Sequence, residues 1–582
     1  MAQKILAGRC ADPLLSGDLV EVKVDQIVLA RAPGRAFAEG LSAGLKKTNA
    51  EVAIAHDGAC VTGPGHMGEM TAELVAAGIA VGRPGVGYPA PVHLERYAAP
   101  ARLCVTDEPR LAGTGGVGML TLVMAPGQLG QALATGSVWL RPPRSIQVLL
   151  GGKMRPFVCA RDVALELIRR GIGDAVRKVE EQHQAPVVLE FAGPSARLLS
   201  VQERSVLCGL APQLGAAAAV FVGDERTEVF LRDQRRSKAH RSLAPDAGAP
   251  CAEVMNVDLA AVDPLVLDET GQVRAVRDLA GKPVTQVVLG GDGGVTLRDL
   301  FAAAALLKSK RVPAGLDFLV PVPSRQTLEV LASSGALADL IATGARIVEP
   351  DARVVTGELY PPRPDGVSLR THEPEPRSAT PFVVASAETL AWAVASGEVG
   401  DPRSFKRPVR VTVPRTLPTD DVLVVRGKAQ ESKKGSVPPP ATAGMPWKGP
   451  QTLDLVDAAD GLALNGKMVA VVCTTLDEVR QLAVRAPDVA SVVRAVLAPF
   501  IPSGLVAVFS GLGIAAIQYD PATAKGITKG TIALPPPAQW GERAATSIAH
   551  GGARIPMRWL ALGAERTWAG AGTARPAPTV KR

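Results

Sequence analysis

The sequence predicts an α/β fold in which helices cover mainly parallel sheets on both faces. Segments rich in β-branched residues alternate with segments of helical periodicity over most of the chain, and this alternation is typical of parallel sheets. The clearest unit is a strand at 284–291, followed by the loop GDGGV and a helix at 296–310. The length of 582 residues is enough for about four domains.

The remaining predicted elements follow the same alternation. Ser200, with Glu203 three residues later, forms a capping-box pattern that predicts the start of a helix. The others are strands at 20–30, 185–191, 317–322 and 346–350, and helices at 68–81 and 325–344.

The composition divides the chain into a large body and a smaller C-terminal domain. Residues 426–452 are rich in Lys, Ser, Pro and Gly and have no apolar periodicity, as expected of an exposed linker. Beyond them, strands at 468–472, 504–510 and 514–519 and a helix at 476–499 predict a small α/β domain. The predicted segments are a body at 1–400 with its end at 401–425, the linker at 426–452, a small domain at 453–545 and a partly disordered tail at 546–582.

Charge and composition argue against several classes of protein. A net charge of +8 without a dense Lys/Arg stripe, together with 4% aromatic residues, predicts no binding to nucleic acid. The N-terminus has no signal-peptide pattern and no segment is long and apolar enough to span a membrane, so we expect a cytoplasmic protein. The seven cysteines are scattered and never spaced as CxxC, which favours buried, reduced thiols over disulfides or a zinc site.

Several segments resemble the aconitase superfamily, in particular the large subunits of 3-isopropylmalate dehydratase and homoaconitase. The segments occur in the family order over about residues 1–400, and VLEFAGPSARLLSVQERSVLCGLAPQLGA at 188–216 is the most specific. The others include RPGVGY at 83–88, GSVWLRPPRSIQVLLGGKM at 136–154 and RVPAGLDFLVPVPSRQTLEVLASSGAL at 311–337. The resemblance implies three α/β/α units, followed by a weakly similar, swivel-like domain of the small-subunit kind.

The resemblance also implies a hydro-lyase that holds a [4Fe–4S] cluster by three cysteines. In this chain the first cluster position, in LGGDGGV, is Asp292, and the other two, in VEPDARVVTG, are Ala352 and Val355. Methyl and isopropyl groups donate no electron pair to iron, and these clusters are held by thiolates or imidazoles. We therefore expect no [4Fe–4S] cluster, no metal at these positions and no other cofactor.

The family's proton-transfer groups are only partly matched. The family DSHT loop reads DEPR here, which retains Asp107 and replaces the following residues by Glu108, Pro109 and Arg110. His56 matches a family Asp–His pair. Asp107, Glu108 and His56 are therefore the candidate catalytic residues, while His56 also fits a loop histidine without a catalytic role.

The candidate substrate-binding groups are cationic side chains and a glycine-rich loop. Arg110, Arg370 and Arg377 could bind a dicarboxylate, although the last two also fit a solvated loop. A strand, glycines and a helix start can bind an anion through backbone N–H groups. The residues of this loop are Gly290, Gly291, Asp292, Gly293 and Gly294.

Two classes of function remain open. The first is a non-catalytic aconitase-type protein that binds a small carboxylic acid or a protein partner. The second is a cluster-free hydro-lyase or isomerase for a di- or tricarboxylic acid, using Asp292, Glu108 or Asp107. Two of the three cluster positions hold residues that cannot bind metal, which favours the first class.

Overall fold

The computed structural model describes most of the chain and confirms the α/β fold class. The described residues are 1–17, 19–31, 33–57, 70–124, 126–183, 185–372, 382–415, 417–427, 451–460, 467–501, 509, 513–522, 527, 529–534, 545–550 and 553–560. Every helix among them is too short or too polar to span a lipid bilayer.

The first sheet contains parallel strands whose order reverses at its centre. The strands of this region are β1 (Val20–Lys23), β2 (Gln26–Leu29), β3 (Val52–His56), β4 (Ala80–Gly82), β5 (Leu103–Thr106), β6 (Leu120–Val123) and β7 (Ser137–Leu140). Its helices are α1 (Ala2–Ala7), α2 (Pro33–Ser42), α3 (Thr71–Ala76), α4 (Pro89–Arg96) and α5 (Pro126–Thr135). The spatial order is β4–β3–β2–β5–β6, so the chain changes direction between β2 and β5, while β1 and β7 pair separately.

The second sheet has four parallel strands in the order β10–β9–β8–β11. They are β8 (Arg144–Gly151), β9 (Val187–Ala192), β10 (Ala218–Phe221) and β11 (Glu253–Asp258). Helices α6 (Ala160–Arg169), α7 (Ile172–His183), α8 (Val201–Cys208) and α9 (Glu225–Asp233) belong to this unit. The predicted capping box is confirmed at α8, where Ser200 N donates to Glu203 Oε2 at 2.8 Å and Glu203 N donates to Ser200 Oγ at 3.3 Å.

The third sheet repeats the reversal of the first. Its strands are β12 (Leu265–Leu267), β13 (Val273–Ala275), β14 (Val284–Val288), β15 (Asp317–Pro321), β16 (Arg346–Val348), β17 (Val367–Arg370) and β18 (Phe382–Ala385). Its helices are α10 (Leu297–Leu307), α11 (Arg325–Ser334), α12 (Ala336–Thr343), α13 (Ala352–Thr356) and α14 (Ala387–Ser396). The parallel part has the order β18–β17–β14–β15–β16, with the reversal between β14 and β17.

A fourth sheet lies beyond the linker. A two-residue strand, β19 (Val424–Val425), first pairs with β4 at the edge of the first sheet. The fourth sheet contains β20 (Gln451–Asp457), β21 (Val469–Val472), β22 (Val493–Ala498), β23 (Ala515–Tyr519), β24 (Thr531–Leu534), β25 (Ala545–His550) and β26 (Ala553–Trp559), with helix α15 (Leu476–Val489). Alternate residues of its central strands pack into two separate apolar clusters, one on each face of the sheet.

Two boundaries of the predicted C-terminal organisation differ from the structure. Strand β20 begins at Gln451, within the predicted linker, and residues 428–450 lie outside the described residues. Strands β25 and β26 fall almost entirely in the predicted tail, yet they pair with each other, and β26 also pairs with β23. Their sequence lacks a long apolar run, because each is an edge or near-edge strand that needs only alternate apolar residues. Residues 561–582 and most of the predicted strand at 504–510 lie outside the described residues.

Three predicted elements are divided or shortened in the structure. The run at 20–30 forms two strands because Asp25 bends the chain, accepting hydrogen bonds from Arg9 Nε at 2.6 Å and Leu103 N at 2.7 Å. The helix predicted at 325–344 is two helices because Gly335, with φ of +83°, ends the first one. The helix predicted at 68–81 covers only α3, and its final residues form β4 instead.

Glycines allow a 3₁₀ helix at Pro109–Val117 to approach the second sheet closely. A Cβ atom on Gly116 would lie 2.6 Å from Ser205 N, and one on Gly113 would lie 2.7 Å from Ser205 Oγ. A Cβ atom on Gly115 would overlap the carbonyl oxygen of Ala219 in β10. The glycines of GTGGVG therefore serve close packing between the first and second sheets.

We expect Gly115→Ala to destabilise the protein, because neither β10 nor the 3₁₀ helix can yield without losing its packing. Overpacking a tight contact costs about 1–3 kcal/mol, and contact with a backbone atom belongs at the upper end or beyond. Gly127→Ala in α5 is the matched control, since no atom lies within 4 Å of its Cβ position. Thermal unfolding should show a lower Tm for Gly115→Ala only, and equal Tm values for the two variants would contradict this account.

Candidate functional site

The carboxyl ends of the first and third sheets form the candidate site. Ligands of open parallel sheets bind where the strand order reverses, which here is between β2 and β5 and between β14 and β17. The segment after β5 begins with Asp107 and Glu108 and leads to Arg110. The segment after β14 is the glycine-rich loop. Arg110 Nε lies 3.7 Å from Asp292 Oδ2, so the two reversal points meet.

The glycine-rich loop is built by positive φ angles and close backbone packing. Gly290, Gly291 and Gly294 have φ values of +127°, +101° and +79°. Thr371 and His372, directly after β17, hold the loop: Thr371 Oγ1 donates to Gly290 O at 2.9 Å and His372 Nδ1 donates to the same oxygen at 2.8 Å. A Cβ atom would collide with Pro321 O at Gly290, with His372 at Gly291, and with Thr371 O and the Arg161 guanidinium at Gly294. The loop is therefore an organised part of the site.

A cavity of about 60 Å³ opens beside this loop. Its charged lining residues are Glu95, Arg110, Arg161 and Asp292. The other lining residues come mainly from α4, α8, the glycine-rich loop and the start of α10, and include Ser205, Gln202, Thr296, Leu297 and Thr327. The cavity has room for about four to six water molecules, at roughly 10–15 Å³ each, which suits a small polar ligand.

Helix α10 begins at the cavity. Thr296 and Asp299 form a capping box, in which Asp299 N donates to Thr296 Oγ1 at 3.1 Å and Thr296 N donates to Asp299 Oδ2 at 2.9 Å. Leu297 N donates to Gln202 Oε1 at 3.2 Å. The partial positive charge of the helix start adds to the charges of Arg110 and Arg161, both of which are buried.

Two carboxylates line the cavity with these cations. Asp292 has a side chain that is 20% exposed, and among the described residues its Oδ1 has no hydrogen-bond partner. Glu95 Oε1 accepts a hydrogen bond from Ser324 Oγ at 2.8 Å. Burial raises the pKa of Glu95 to about 7, against the lowering effect of that hydrogen bond and of Arg96. The charge of the cavity therefore changes near neutral pH.

The other candidate catalytic residues lie outside the cavity lining. Asp107 Oδ1 accepts from Ala30 N at 2.7 Å, and Glu108 pairs with Arg31 at 3.1 Å and accepts from Arg110 N at 2.9 Å. These contacts hold the ends of β2 and β5 together. The two carboxylates therefore connect the segments after β2 and β5, and neither lines the cavity.

His56 is a buried strand residue, which corrects its interpretation as a loop histidine. It ends β3, and among the described residues neither ring nitrogen has a hydrogen-bond partner. Burial lowers the pKa of His56 to about 4, although the nearby Glu108 carboxylate raises it. The imidazole is therefore neutral at physiological pH, and it does not line the cavity.

Arg370 is also buried, which corrects the prediction that it binds a dicarboxylate or lies in a solvated loop. Its side chain is 0% exposed, and it donates to Ser368 Oγ at 3.0 Å, Gln286 Oε1 at 2.9 Å and Val355 O at 2.8 Å. Its guanidinium lies 3.7 Å from the ring centroid of Phe382. Burial lowers the pKa of Arg370 to about 9. Its donors bind the protein itself, and Arg377 lies outside the described residues.

The residues at the positions that the resemblance assigns to cluster ligands do not fit a [4Fe–4S] cluster. Ala352 and Val355 lie in α13, are buried, and offer no donor atom from their side chains. Asp351 caps this helix by accepting from Arg353 N at 2.8 Å, and Arg370 binds its last carbonyls. The described residues contain a single close group of three or more metal-ligating side chains, and only one member is a cysteine. Cys60 lies outside the described residues.

Sequence reasoning missed three residues of the site: Glu95, Arg161 and His372. Glu95 lies in LERYA at 94–98 and Arg161 in ARDVALELI at 160–168, and no motif singled out either residue. Their signal was positional, since each lies on a helix next to the carboxyl end of a parallel sheet. His372 lies two residues after the end of β17, which is also at the carboxyl end of a parallel strand.

Comparisons with known proteins agree on one family. The model of the aconitase family (aconitate hydratase) matches residues 65–274. The 3-isopropylmalate dehydratase large subunit 2 of Archaeoglobus fulgidus is 27% identical over 423 residues, which cover 70% of this chain and 99% of that protein. The homoaconitase large subunit of Thermus thermophilus is 29% identical over 360 residues, covering 60% of this chain and 83% of that protein.

A solved structure was also found. It is aconitase X of Thermococcus kodakaraensis in its holo form, with 12% identity and a TM-score of 0.36 over 67% of this chain and 90% of that one. The family model and the relatives that share its sequence support the aconitase superfamily, and the chain is similar to the large subunits of 3-isopropylmalate dehydratase and homoaconitase.

Proposed function

We propose that this protein binds a small di- or tricarboxylate in the cavity without an iron–sulfur cluster and does not catalyse the dehydration that its relatives' names imply. Two buried arginines, Arg110 and Arg161, line the cavity, and this observation carries the proposal. The positions that the resemblance assigns to cluster ligands hold Asp292, Ala352 and Val355. Guanidinium groups bind carboxylates with two parallel hydrogen bonds, whereas the chemistry of the cluster needs thiolate ligands.

The charge of the cavity supports an anionic ligand. The start of α10 and two guanidinium groups supply positive charge, and Asp292 balances only part of it. A protein partner and a cytoplasmic location remain expectations from the sequence.

A second candidate function is a cluster-free lyase or isomerase, and Glu95 is the observation that favours it. A carboxyl group with a pKa of about 7 in the wall of a binding cavity is suited to donate and accept protons near neutral pH. Of the three carboxylates that the sequence analysis considers for such an enzyme, namely Asp292, Glu108 and Asp107, Asp292 is the one that lines the cavity. Turnover of malate- or citrate-type acids that Glu95→Gln abolishes would favour this candidate over a binding protein.

The first test is binding of citrate, malate and 2-isopropylmalate by calorimetry. Losing a hydrogen-bonded charge costs about 1.5–3 kcal/mol, so Arg110→Ala and Arg161→Ala should each weaken binding by about 10–100-fold. Arg177→Ala is the control, because its ion pair with Asp174 is exposed and neither residue lines the cavity. Unchanged binding in both cavity variants, with Tm values showing that they fold, would exclude this site.

The second test is the pH dependence of malate binding. Because the pKa of Glu95 is raised, the group is neutral below about pH 7 and becomes a carboxylate above it. The added negative charge repels the anion, so the Kd for malate should increase severalfold between pH 6 and pH 8. Glu95→Gln should remove this dependence, and a variant with the same pH profile as the wild type would show that Glu95 does not face the ligand.

The third test is the absence of an iron–sulfur cluster. Protein reconstituted with iron and sulfide under anaerobic conditions should lack the broad visible absorption of a cluster and should bind iron far below stoichiometry, because Ala352 and Val355 supply no ligand. Isopropylmalate and aconitate hydratase rates should stay at background. Stoichiometric iron and sulfide, with a hydratase rate that a chelator removes, would contradict the proposal.

A further inference from the structure

The starts of three helices converge on a buried group of acidic side chains. Cys159 is the N-cap of α6, Asp299 lies in the first turn of α10, and Glu388 lies in the first turn of α14. One ligand atom from each, the Cys159 sulfur and a carboxylate oxygen from the other two, lies within 4.8 Å of the others. None of the three lines the cavity of the proposed function.

Glu388 points to a missing ligand in this group. The residue is 6% exposed, and among the described residues its Oε2 has no hydrogen-bond partner. Its Oε1 has one distant cationic neighbour, Arg298 Nη1 at 3.9 Å. A buried carboxylate oxygen without a partner is costly, so the arrangement suits a cation that the protein binds there.

The group is short of positive charge. Asp162, a third buried carboxylic acid, accepts hydrogen bonds from Cys159 N and Leu265 N, both at 2.9 Å. Arg298 is the nearby cation, yet its side chain is 46% exposed and lies 3.8 Å from Asp299 Oδ1. A bound cation would supply the positive charge that these buried carboxyl groups lack.

We propose that Cys159 Sγ, one carboxylate oxygen of Asp299 and one of Glu388 bind a divalent cation of the Zn²⁺ class. A thiolate beside carboxylates favours Zn²⁺ over Mg²⁺ or Ca²⁺, which prefer oxygen ligands alone. Bonds of about 2.0–2.3 Å place tetrahedral ligand atoms roughly 3.5 Å apart, so the group needs to close by only about 1 Å. Asp299 keeps its capping bond through one oxygen, and a water molecule completes the four ligands.

The site has a structural role. It joins α6, which belongs to the second sheet, to α10 and α14 of the third sheet. The first turns of α6 and α10 also place Arg161 and Leu297 in the cavity wall. The cation would therefore fix two walls of the cavity without contacting its ligand, and the proposal does not depend on the proposed anion binding.

The test is metal binding by the full-length protein after treatment with a chelator and reduction of its thiols. Co²⁺ replaces Zn²⁺ and reports a thiolate ligand by charge-transfer absorption in the near ultraviolet. The protein should bind a single Co²⁺ with that absorption, and Zn²⁺ should displace it. Cys159→Ser should abolish the band, and Glu388→Gln should weaken binding by more than the ~10–100-fold typical of an outer-shell partner.

Cys208→Ser is the matched control, since Cys208 is an equally buried thiol in the same unit without these acids around it. It should leave the cobalt spectrum unchanged. Zn²⁺ should also raise the Tm of the wild type but not that of Glu388→Gln, a readout that holds if Cys159→Ser fails to fold. A wild-type protein with no charge-transfer band and no Zn²⁺-dependent Tm would overturn the proposal and leave an acid group that shares protons.

Discussion

The close packing of the 3₁₀ helix Pro109–Val117 against α8 and β10 determines where the site's charges lie. This contact has no room for side chains at Gly113, Gly115 or Gly116. Arg110 stands in the first turn of the same segment, with its backbone fixed by Glu108. Because glycine lets the segment sink onto the second sheet, the Arg110 guanidinium reaches the loop after β14 and meets Asp292. The glycines of GTGGVG thus act through their small size.

The alternation of elements could be predicted from the sequence because it depends on local patterns. Apolar periodicity and capping residues at Ser200 and Thr296 act within a few residues, and the structure confirms both helix starts. The interrupted elements failed for a different reason. Asp25 bends its segment through partners as distant as Leu103, and no local pattern contains that information.

The sequence predicts those residues of the candidate site whose position depends on a single segment. It does not predict residues whose role depends on burial by distant parts of the chain. The glycine-rich loop and Arg110 follow from the order of strands, loop and helix. Arg370 has a sequence context that fits either a ligand or solvent, but the fold encloses it between Phe382 and the carbonyls of α13. Glu95 gave no signal, because its raised pKa results from burial by segments distant in sequence.

Arg370 also explains why the segment that the resemblance assigns to two cluster ligands encloses no empty space. The loop that would carry two cysteines is the short helix α13, whose apolar residues Val354 and Val355 are buried. The same arginine donates hydrogen bonds to the carbonyl oxygens of both, so one buried cation holds α13 against the third sheet. Buried guanidinium groups are expensive unless their donors are bound, and here carbonyl and amide oxygens bind them.

Helix α6 shows how one turn separates two kinds of charge. Arg161 faces the cavity, whereas its neighbours Cys159 and Asp162 belong to the acidic group on the other side. Successive residues of a helix point about 100° apart, so a first turn can present a cation to one compartment and acids to another. Helix α10 also faces both regions, because Leu297 lines the cavity and Asp299 belongs to the acidic group. The same two helix starts therefore contribute to the proposed anion-binding wall on one side and to the proposed cation-binding group on the other. The partial positive charge of each helix start favours the ionised form of the acids beside it.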